Sequence, residues 1–115
     1  MKRICLWSSP RNISTAMMYS FAQRDDTIVI DEPLYAHYLK ITGSDHPGKE
    51  EILQAQENDG ERVIKDIILS DYDKPVVLFK QMTHHLVKIN LDFLSQTENI
   101  IFIRDPNKLL LLMRK

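Results

Sequence analysis

The sequence predicts an α/β fold in which helices flank a parallel sheet, all within one domain spanning residues 1–115. Four short runs of the chain are almost continuously apolar instead of alternating between apolar and polar residues. Such runs are typical of strands covered on both faces of a parallel sheet. Helical stretches separate them at crossover-sized intervals, and crossovers between parallel strands are right-handed. A chain of 115 residues fits one domain.

The predicted strands are short and rich in β-branched and aromatic residues. They are Arg3–Trp7, Thr27–Asp31, Pro75–Met82 and Asn99–Arg104. The first strand contains Cys5, the single cysteine of the chain. It cannot form an intrachain disulfide, and we expect it to fill the core.

Helices are predicted between and after these strands. They cover Ser14–Gln23, Leu34–Ile41, Glu50–Ser70, with a break at Asp59-Gly60, and His84–Ser95. The run Leu109–Met113 is apolar on all sides, which predicts a buried helix. A buried helix so close to the last residue leads us to expect a fold that is incomplete at its C-terminus.

Composition and charge argue against several classes of protein. The formal net charge is −1, with acids and bases interspersed, whereas nucleic-acid and membrane-surface binders usually carry a basic excess. There is no stretch of about 18 apolar residues, and the run "ICLW" is too short for the core of a signal peptide. We therefore expect a cytoplasmic protein. The sequence has no H-E-x-x-H or Cys/His spacing, so no metal is predicted.

The turn after the first strand has the parts of an anion site, although it contains no glycine. It reads "SSPRNIST", with Arg11 in the turn and Ser14 and Thr15 at the start of the predicted helix. A helix N-terminus with hydroxyl groups and a nearby guanidinium favours a bound anion. The same residues also suit a capped helix whose arginine lies in solvent. The turn by itself does not decide between the two.

A comparison of motifs favours the anion site. The segment "SSPRNISTAMMYSF" resembles the 5′-phosphosulfate loop of the sulfotransferases, with the pattern P-K-S-G-T-T or P-R-[ST]-G-S-T. Pro10 and Arg11 match the Pro-Lys/Arg pair, and Ser14 and Thr15 match the hydroxyl pair. Ile13 stands where the family has glycine, and this departure puts the shape of the loop in question.

Further motifs of the family follow in the same order along the chain. They are "DEPLYAHYL" from Asp31 to Leu39, "FKQMTHHL" from Phe79 to Leu86, and "IIFIRDP" ending at Pro106. The chain is therefore identified as a member of the sulfotransferase-like P-loop proteins, which implies a three-layer sandwich. Some of these proteins carry branched-chain aminotransferase names, but nothing here resembles a pyridoxal-phosphate enzyme.

The resemblance implies a reaction and a set of site residues. The implied co-substrate is 3′-phosphoadenosine 5′-phosphosulfate, whose sulfuryl group passes to a hydroxyl or amine of a small molecule without a metal. Arg11 would act at the bridging oxygen, and His84 or His85 would be the base. The nucleotide would be held by Pro10, Arg11, Asn12, Ile13, Ser14, Thr15 and, at the 3′-phosphate, Arg104; the acceptor would be held by Glu32, Pro33 and Tyr35.

Several interpretations stay open at this stage. The histidine pair also suits a helix cap, and Glu32 suits an acceptor contact, a salt bridge to Arg11 or the acidic start of a helix. Lys80 matches the family lysine only with a short insertion, and Leu112 stands where the family has a serine that shares the 3′-phosphate.

Two alternative functions also remain. One is a truncated, non-catalytic domain that works by binding nucleotide or a partner, including a second copy through Leu109–Met113. The other is a phosphoryl transferase on the same scaffold. The second is less favoured because the sequence has no P-loop Lys-Ser/Thr and no clear acidic Mg²⁺ site.

Overall fold

The computed structural model describes residues 1–8, 14–43, 48–102 and 110–114. These residues form an α/β fold around a five-stranded sheet with the strand order β2-β3-β1-β4-β5. The strands are β1 Lys2–Ser8, β2 Thr27–Asp31, β3 Val76–Met82, β4 Glu98–Phe102 and β5 Leu110–Arg114. β1 to β4 are parallel, so the four strands predicted from apolar runs are confirmed. β5 joins the edge of the sheet antiparallel to β4.

The helices that connect the strands are short. They are α1 Ser14–Ala22, α2 Tyr35–Thr42, α3 Lys49–Ala55 and α4 Gly60–Val63, the last continuing as a π-helical turn over Ile64–Ile68. Two 3₁₀ turns, Thr83–His85 and Leu91–Gln96, follow β3. Within the described residues, no helix has both the length and the apolar character needed to cross a membrane.

Helices and turns cover both faces of the sheet. Successive residues of a strand point to opposite faces, so each strand contributes side chains to two packed layers. On one face, Cys5, Trp7 and Phe79 pack with residues of α4 and of the turns, including Phe93. On the other face, Ile4, Leu6 and Leu78 pack against the α1 side chains Met17 and Phe21. The apolar runs are continuous because both sets of side chains are buried, and the result is the expected three-layer arrangement.

The predicted helix over Glu50–Ser70 is present with an interruption. α3 ends at Ala55, and α4 begins at Gly60. The side chain of Asp59, just before α4, accepts a hydrogen bond from the amide of Glu61. Asp59 is thus the N-cap of the second segment. The break at Asp59-Gly60 is confirmed, and it extends back to Gln56.

The predicted helix over His84–Ser95 is wrong. The segment forms two separate 3₁₀ turns, and Lys88 between them has a φ of 47°, which a continuous α-helix cannot contain. The Asn90 side chain accepts a hydrogen bond from the amide of Asp92 and so starts the second turn. The local capping and turn conformations outweigh the helical spacing of the apolar residues.

The predicted helix over Leu109–Met113 is also wrong. This part of the chain contains β5, whose backbone pairs with β4 from Phe102↔Leu110 to Glu98↔Arg114. A run of about five apolar residues is compatible with either a buried strand or a buried helix. Pairing with the free edge of β4 decides in favour of the strand.

Candidate functional site at the carboxyl edge of the sheet

The carboxyl ends of three parallel strands meet at one edge of the sheet. β1 ends at Ser8, β2 at Asp31 and β3 at Met82, with Ser8 opposite Met82 in the register. The hydroxyl of Thr83 donates to the carbonyl oxygen of Ser8 at 3.4 Å, which joins the ends of β1 and β3. α1 begins at Ser14, shortly after β1. Ligands of open α/β sheets bind at edges of this kind.

An ion-paired lysine occupies the middle of this edge. The ammonium of Lys80 lies 3.0 Å from Glu32 Oε2 and 3.3 Å from Asp31 Oδ1. Asp31 faces Lys80 directly in the β2–β3 register. The amide of Glu32 also donates to the carbonyl oxygen of Lys80 at 2.8 Å. Backbone and side-chain contacts therefore fix these three residues relative to one another.

The charge of Lys80 is maintained although the side chain is only 8% exposed. Burial by itself would lower the pKa of Lys80. The hydrogen bond to Glu32 and the negative charges of Glu32 and Asp31 outweigh burial, so the pKa is raised above its ordinary value. Lys80 is a fixed cation at neutral pH.

Glu32 adopts an unusual backbone conformation. Its φ is 45°, in the left-handed region that non-glycine residues rarely occupy. The chain turns here from β2 into α2, and the amide of Tyr35 donates to the carbonyl oxygen of Glu32 at 3.2 Å. Pro33 and Leu34 are buried in this turn. Such conformations typically cost about 1–3 kcal/mol and cluster at functional sites.

The two histidines after β3 have different surroundings. His84 is exposed, whereas His85 is 1% exposed. The ring of His85 stacks on that of Tyr35 with centroids 5.5 Å apart, and it lies 5.0 Å from the ring of Tyr38. The rings of Tyr38 and His84 also contact each other, in an edge-to-face arrangement with centroids 4.9 Å apart. Two aromatic rings of α2 thus hold His85 in place.

The nitrogen atoms of His85 face different environments. Nε2 lies 3.9 Å from Glu32 Oε1, while Nδ1 is buried and has no hydrogen-bond partner within the described part of the chain. Burial and, to a smaller extent, the neighbouring His84, His37 and Lys80 together lower the pKa of His85 to about 3. His85 is therefore neutral near pH 7, with one N–H group and one free lone pair.

The structure brings together part of the predicted site. Glu32, Tyr35 and His85 lie against one another, with Pro33 in the turn below and His84 beside the group. Ser14 and Thr15 form the start of α1. The predicted nucleotide contacts Pro10, Arg11, Asn12, Ile13 and Arg104 lie outside the described residues.

Two residues of this edge received no role from the sequence. In the sequence, Asp31 is only the first residue of the "DEPLYAHYL" motif, and Lys80 matches the family lysine only with a short insertion. A sequence signal does exist, because Lys80 is a charge inside a strand buried on both faces. A buried charge needs a partner, and Asp31 at the end of the neighbouring strand supplies one.

A separate cavity of about 540 Å³ opens at the opposite, amino-terminal edge of the sheet. It is lined by Met1, Lys2, Arg3, Ser95, Gln96, Thr97 and Glu98. None of the predicted site residues that the structure describes lines it, and strand direction places it away from the Lys80–Glu32 pair.

The sulfotransferase domain family matches residues 1–113 of the chain. The chain belongs to the sulfotransferase domain family. The matched part of this sulfotransferase domain contains the four parallel strands, the start of α1 and the acidic and histidine residues at the carboxyl edge.

Two curated relatives of this sulfotransferase domain come from Arabidopsis thaliana. It is 46% identical to branched-chain-amino-acid aminotransferase-like protein 2 over 111 residues, which is 96% of this chain and 20% of the relative. It is 44% identical to branched-chain-amino-acid aminotransferase-like protein 1 over 105 residues, 90% of this chain and 19% of the relative. The chain thus spans about a fifth of the length of these relatives. No solved structure matches it significantly.

Proposed function

We propose that this sulfotransferase domain binds 3′-phosphoadenosine 5′-phosphosulfate at the carboxyl edge and transfers its sulfuryl group to a small-molecule hydroxyl or amine. One observation carries the proposal: Glu32 and the His84-His85 pair converge at the edge where α1 begins. Family membership supports sulfotransferase activity in general. Sulfuryl transfer to a hydroxyl or amine needs a group that accepts a proton, and the convergence of Glu32 with the histidine pair supports the proposal in this respect.

The nucleotide would bind next to the first turn of α1. The N-terminus of a helix presents unpaired amides and a partial positive charge, and α1 has nine residues. Pro10 to Thr15 would hold the 5′-phosphosulfate, with Arg11 at the bridging oxygen, and Arg104 would hold the 3′-phosphate. When bound, the co-substrate supplies an activated sulfuryl group.

The residues at the edge would activate the acceptor. The acceptor oxygen or nitrogen forms a bond to sulfur, the bond from sulfur to the bridging phosphate oxygen breaks, and that oxygen keeps the electron pair. Arg11 would stabilise the resulting charge. The acceptor proton passes to an imidazole. His85 is neutral near pH 7 and has a lone pair to accept the proton, although burial and nearby positive groups lower its pKa to about 3 and make it a weak base. Glu32 would stabilise the imidazolium that forms.

Access to His85 requires a small rearrangement. His85 is 1% exposed, with the rings of Tyr38 and His84 about 5 Å away. Side-chain rotamer changes of this size are common when a ligand binds. Exposed His84 would then contact the bound acceptor, and the loss of His85 should cost more activity than the loss of His84.

Isothermal titration with adenosine 3′,5′-bisphosphate tests nucleotide binding. We expect saturable binding to the wild-type chain, weaker binding by at least about tenfold for Arg104→Ala, and no change for the exposed control Arg62→Ala. Adenosine 5′-monophosphate should bind more weakly, because it lacks the 3′-phosphate. No saturable heat at millimolar bisphosphate would contradict the proposal.

A transfer assay tests the reaction. Release of adenosine 3′,5′-bisphosphate from the phosphosulfate is followed with a panel of phenols, alcohols and amines as acceptors. Acceptor-dependent release should fall about 100-fold or more in His85→Gln, consistent with loss of a general base, and less in His84→Gln. Equal effects of the two substitutions would argue against His85 as the base.

A further inference from the structure

We propose that Lys80 is a positioning residue that holds one oxygen of Glu32, so that the other oxygen fixes the tautomer of His85 and leaves Nδ1 as its free nitrogen. The tautomer follows from contacts alone. Only the use of Nδ1 as the atom that receives the acceptor proton rests on the proposed function.

The first step is the rigidity of Lys80. Its side chain is buried on β3, and its ammonium lies between Asp31 and Glu32. Asp31 pairs with it in the sheet register, and the amide of Glu32 donates to its carbonyl oxygen. A lysine with two carboxylate partners and a strand backbone on either side has little freedom to move.

The second step is the division of the Glu32 carboxylate. Oε2 accepts a hydrogen bond from Lys80 Nζ at 3.0 Å, whereas Oε1 faces His85 Nε2 at 3.9 Å. The backbone of Glu32 is in the left-handed region, and its side chain reaches Lys80 on β3. Without Lys80, the carboxylate would be free to turn outward, because 28% of the Glu32 side chain is exposed to water.

The third step is the choice between the two neutral forms of His85. With hydrogen on Nε2, the N–H group lies 3.9 Å from a carboxylate oxygen of Glu32, which can only accept. With hydrogen on Nδ1, a buried donor lacks a partner among the described residues, and the lone pair of Nε2 faces a negative charge. The unpartnered donor and the repulsion between the lone pair and the carboxylate both disfavour hydrogen on Nδ1, so hydrogen on Nε2 is favoured.

Groups on the neighbouring elements do not reverse this choice. From α2, Tyr35 and Tyr38 contribute ring faces, and His37 Nε2 lies 2.7 Å from the carbonyl oxygen of Val87. A carbonyl only accepts, so His37 carries its own hydrogen on Nε2. From the turn after β3, His84 presents its ring edge to His85. Within the described ranges of the chain, Glu32 is thus the acceptor near His85 Nε2.

A purely structural ion pair is the competing explanation, and it makes a different prediction. If Lys80 only stabilises the fold, replacing it changes the free energy of unfolding but not the hydrogen position on His85. If Lys80 positions Glu32, the replacement also changes the tautomer. The distinguishing measurement is therefore made on the imidazole nitrogens of the folded protein.

Nitrogen-15 NMR of histidine side chains at pH 7 reads the tautomer directly, in the chain without ligand. We expect His85 to carry hydrogen on Nε2 in the wild-type chain. Lys80→Met should convert His85 to a mixture of tautomers, Lys80→Arg should retain the wild-type form, and the exposed control Lys74→Met should leave it unchanged. Glu32→Gln decides the question if Lys80→Met fails to fold, because it should also give a mixture.

Any of three results would overturn the proposal: hydrogen on Nδ1 in the wild-type chain, a wild-type tautomer in folded Lys80→Met, or a wild-type tautomer in Glu32→Gln. In the transfer assay, Lys80→Met should lower kcat about tenfold or more, with little change in KM. Absence of nucleotide binding or of transfer would count against the proposed function while the NMR result still stands.

Discussion

The ammonium of Lys80 lies 3.0 Å from the carboxylate of Glu32, although 48 residues separate them in the chain. The parallel pairing of β2 and β3 produces this contact, and the turn after β3 then places His85 on the other carboxylate oxygen. The register of β2 and β3 therefore brings the Lys80 ammonium, the Glu32 carboxylate and the His85 imidazole together at one edge of the sheet.

The Lys80–Glu32 pair should contribute measurably to stability. Lys80→Met leaves Asp31 and Glu32 without their shared cation, and both carboxylates keep partial access to water. We expect a loss of about 1–3 kcal/mol in the free energy of unfolding, below the value for a fully buried pair. The measurement is urea denaturation of Lys80→Met, Glu32→Gln and the double variant. Additive losses in this cycle would show that the two side chains do not interact.

The buried His85 should make the stability depend on pH. Its pKa in the folded chain is about 3, below the ordinary value of 6.5, so the unfolded chain binds the proton more readily. The contribution is complete above about pH 6.5 and is lost as the pH falls toward 3, by at most about 1.4 kcal/mol per pH unit.

Urea denaturation from pH 7 to pH 4 measures this dependence. His85→Phe should lose stability less steeply than the wild-type chain as the pH falls, whereas the exposed control His84→Gln should follow the wild type. Parallel profiles for wild type and His85→Phe would mean that His85 is not held neutral by burial.

Cys5 should be unreactive in the folded chain. Burial raises the pKa of its thiol to about 11, although hydrogen bonds from Gln81 and Thr97 oppose the shift. At pH 8 a disulfide reagent should modify the protein only as fast as it unfolds, and one thiol should react at once in denaturant, since the chain has a single cysteine. Rapid reaction of the native protein would place Cys5 at the surface instead of in the core.

Gly60 should resist substitution because the ring of His37 occupies the space of a side chain. A Cβ atom at Gly60 would lie 2.6 Å from His37 Nδ1, and the hydrogen bond between His37 Nε2 and Val87 limits how far the ring can move. Gly60→Ala should cost about 1–3 kcal/mol of unfolding free energy.

Gly43→Ala is the matched control for that substitution. A Cβ atom at Gly43 meets no atom of the described residues within 4 Å, so among these only its own φ of 67° opposes the change, at about 1 kcal/mol. Urea denaturation of both variants gives the comparison. A Gly60→Ala variant as stable as the wild type would contradict the close packing of His37.

Much of the fold could be predicted from the sequence because the strands are buried on both faces. Runs such as Thr27–Asp31 have no polar face, so their apolar residues are continuous and easily recognised. The Leu109–Met113 run was misassigned for the same reason, since a continuous apolar run lacks the periodicity that separates strand from helix. In His84–Ser95, the apolar residues have helical spacing, but the left-handed backbone of Lys88 interrupts the segment, and the spacing gives no sign of it.

The candidate site was harder to predict than the fold. Motif order predicts Glu32, His84 and His85 as site residues, but their contacts depend on β2 and β3 being neighbours in the sheet. Strand order is a tertiary property, and spacing along the chain does not determine it. The exposure of His84 and the burial of His85 likewise follow from the packing of Tyr35 and Tyr38.

Amide chemical-shift mapping with adenosine 3′,5′-bisphosphate tests the central claim most directly, because the two edges of the sheet offer alternative sites. We predict saturable shifts at the carboxyl edge, in the amides of Ser8, Ser14, Thr15, Glu32, His84 and His85, and no shifts around the cavity at Met1–Arg3 and Ser95–Glu98. Shifts confined to that cavity, or no saturable shifts at millimolar nucleotide, would contradict a nucleotide site at the carboxyl edge.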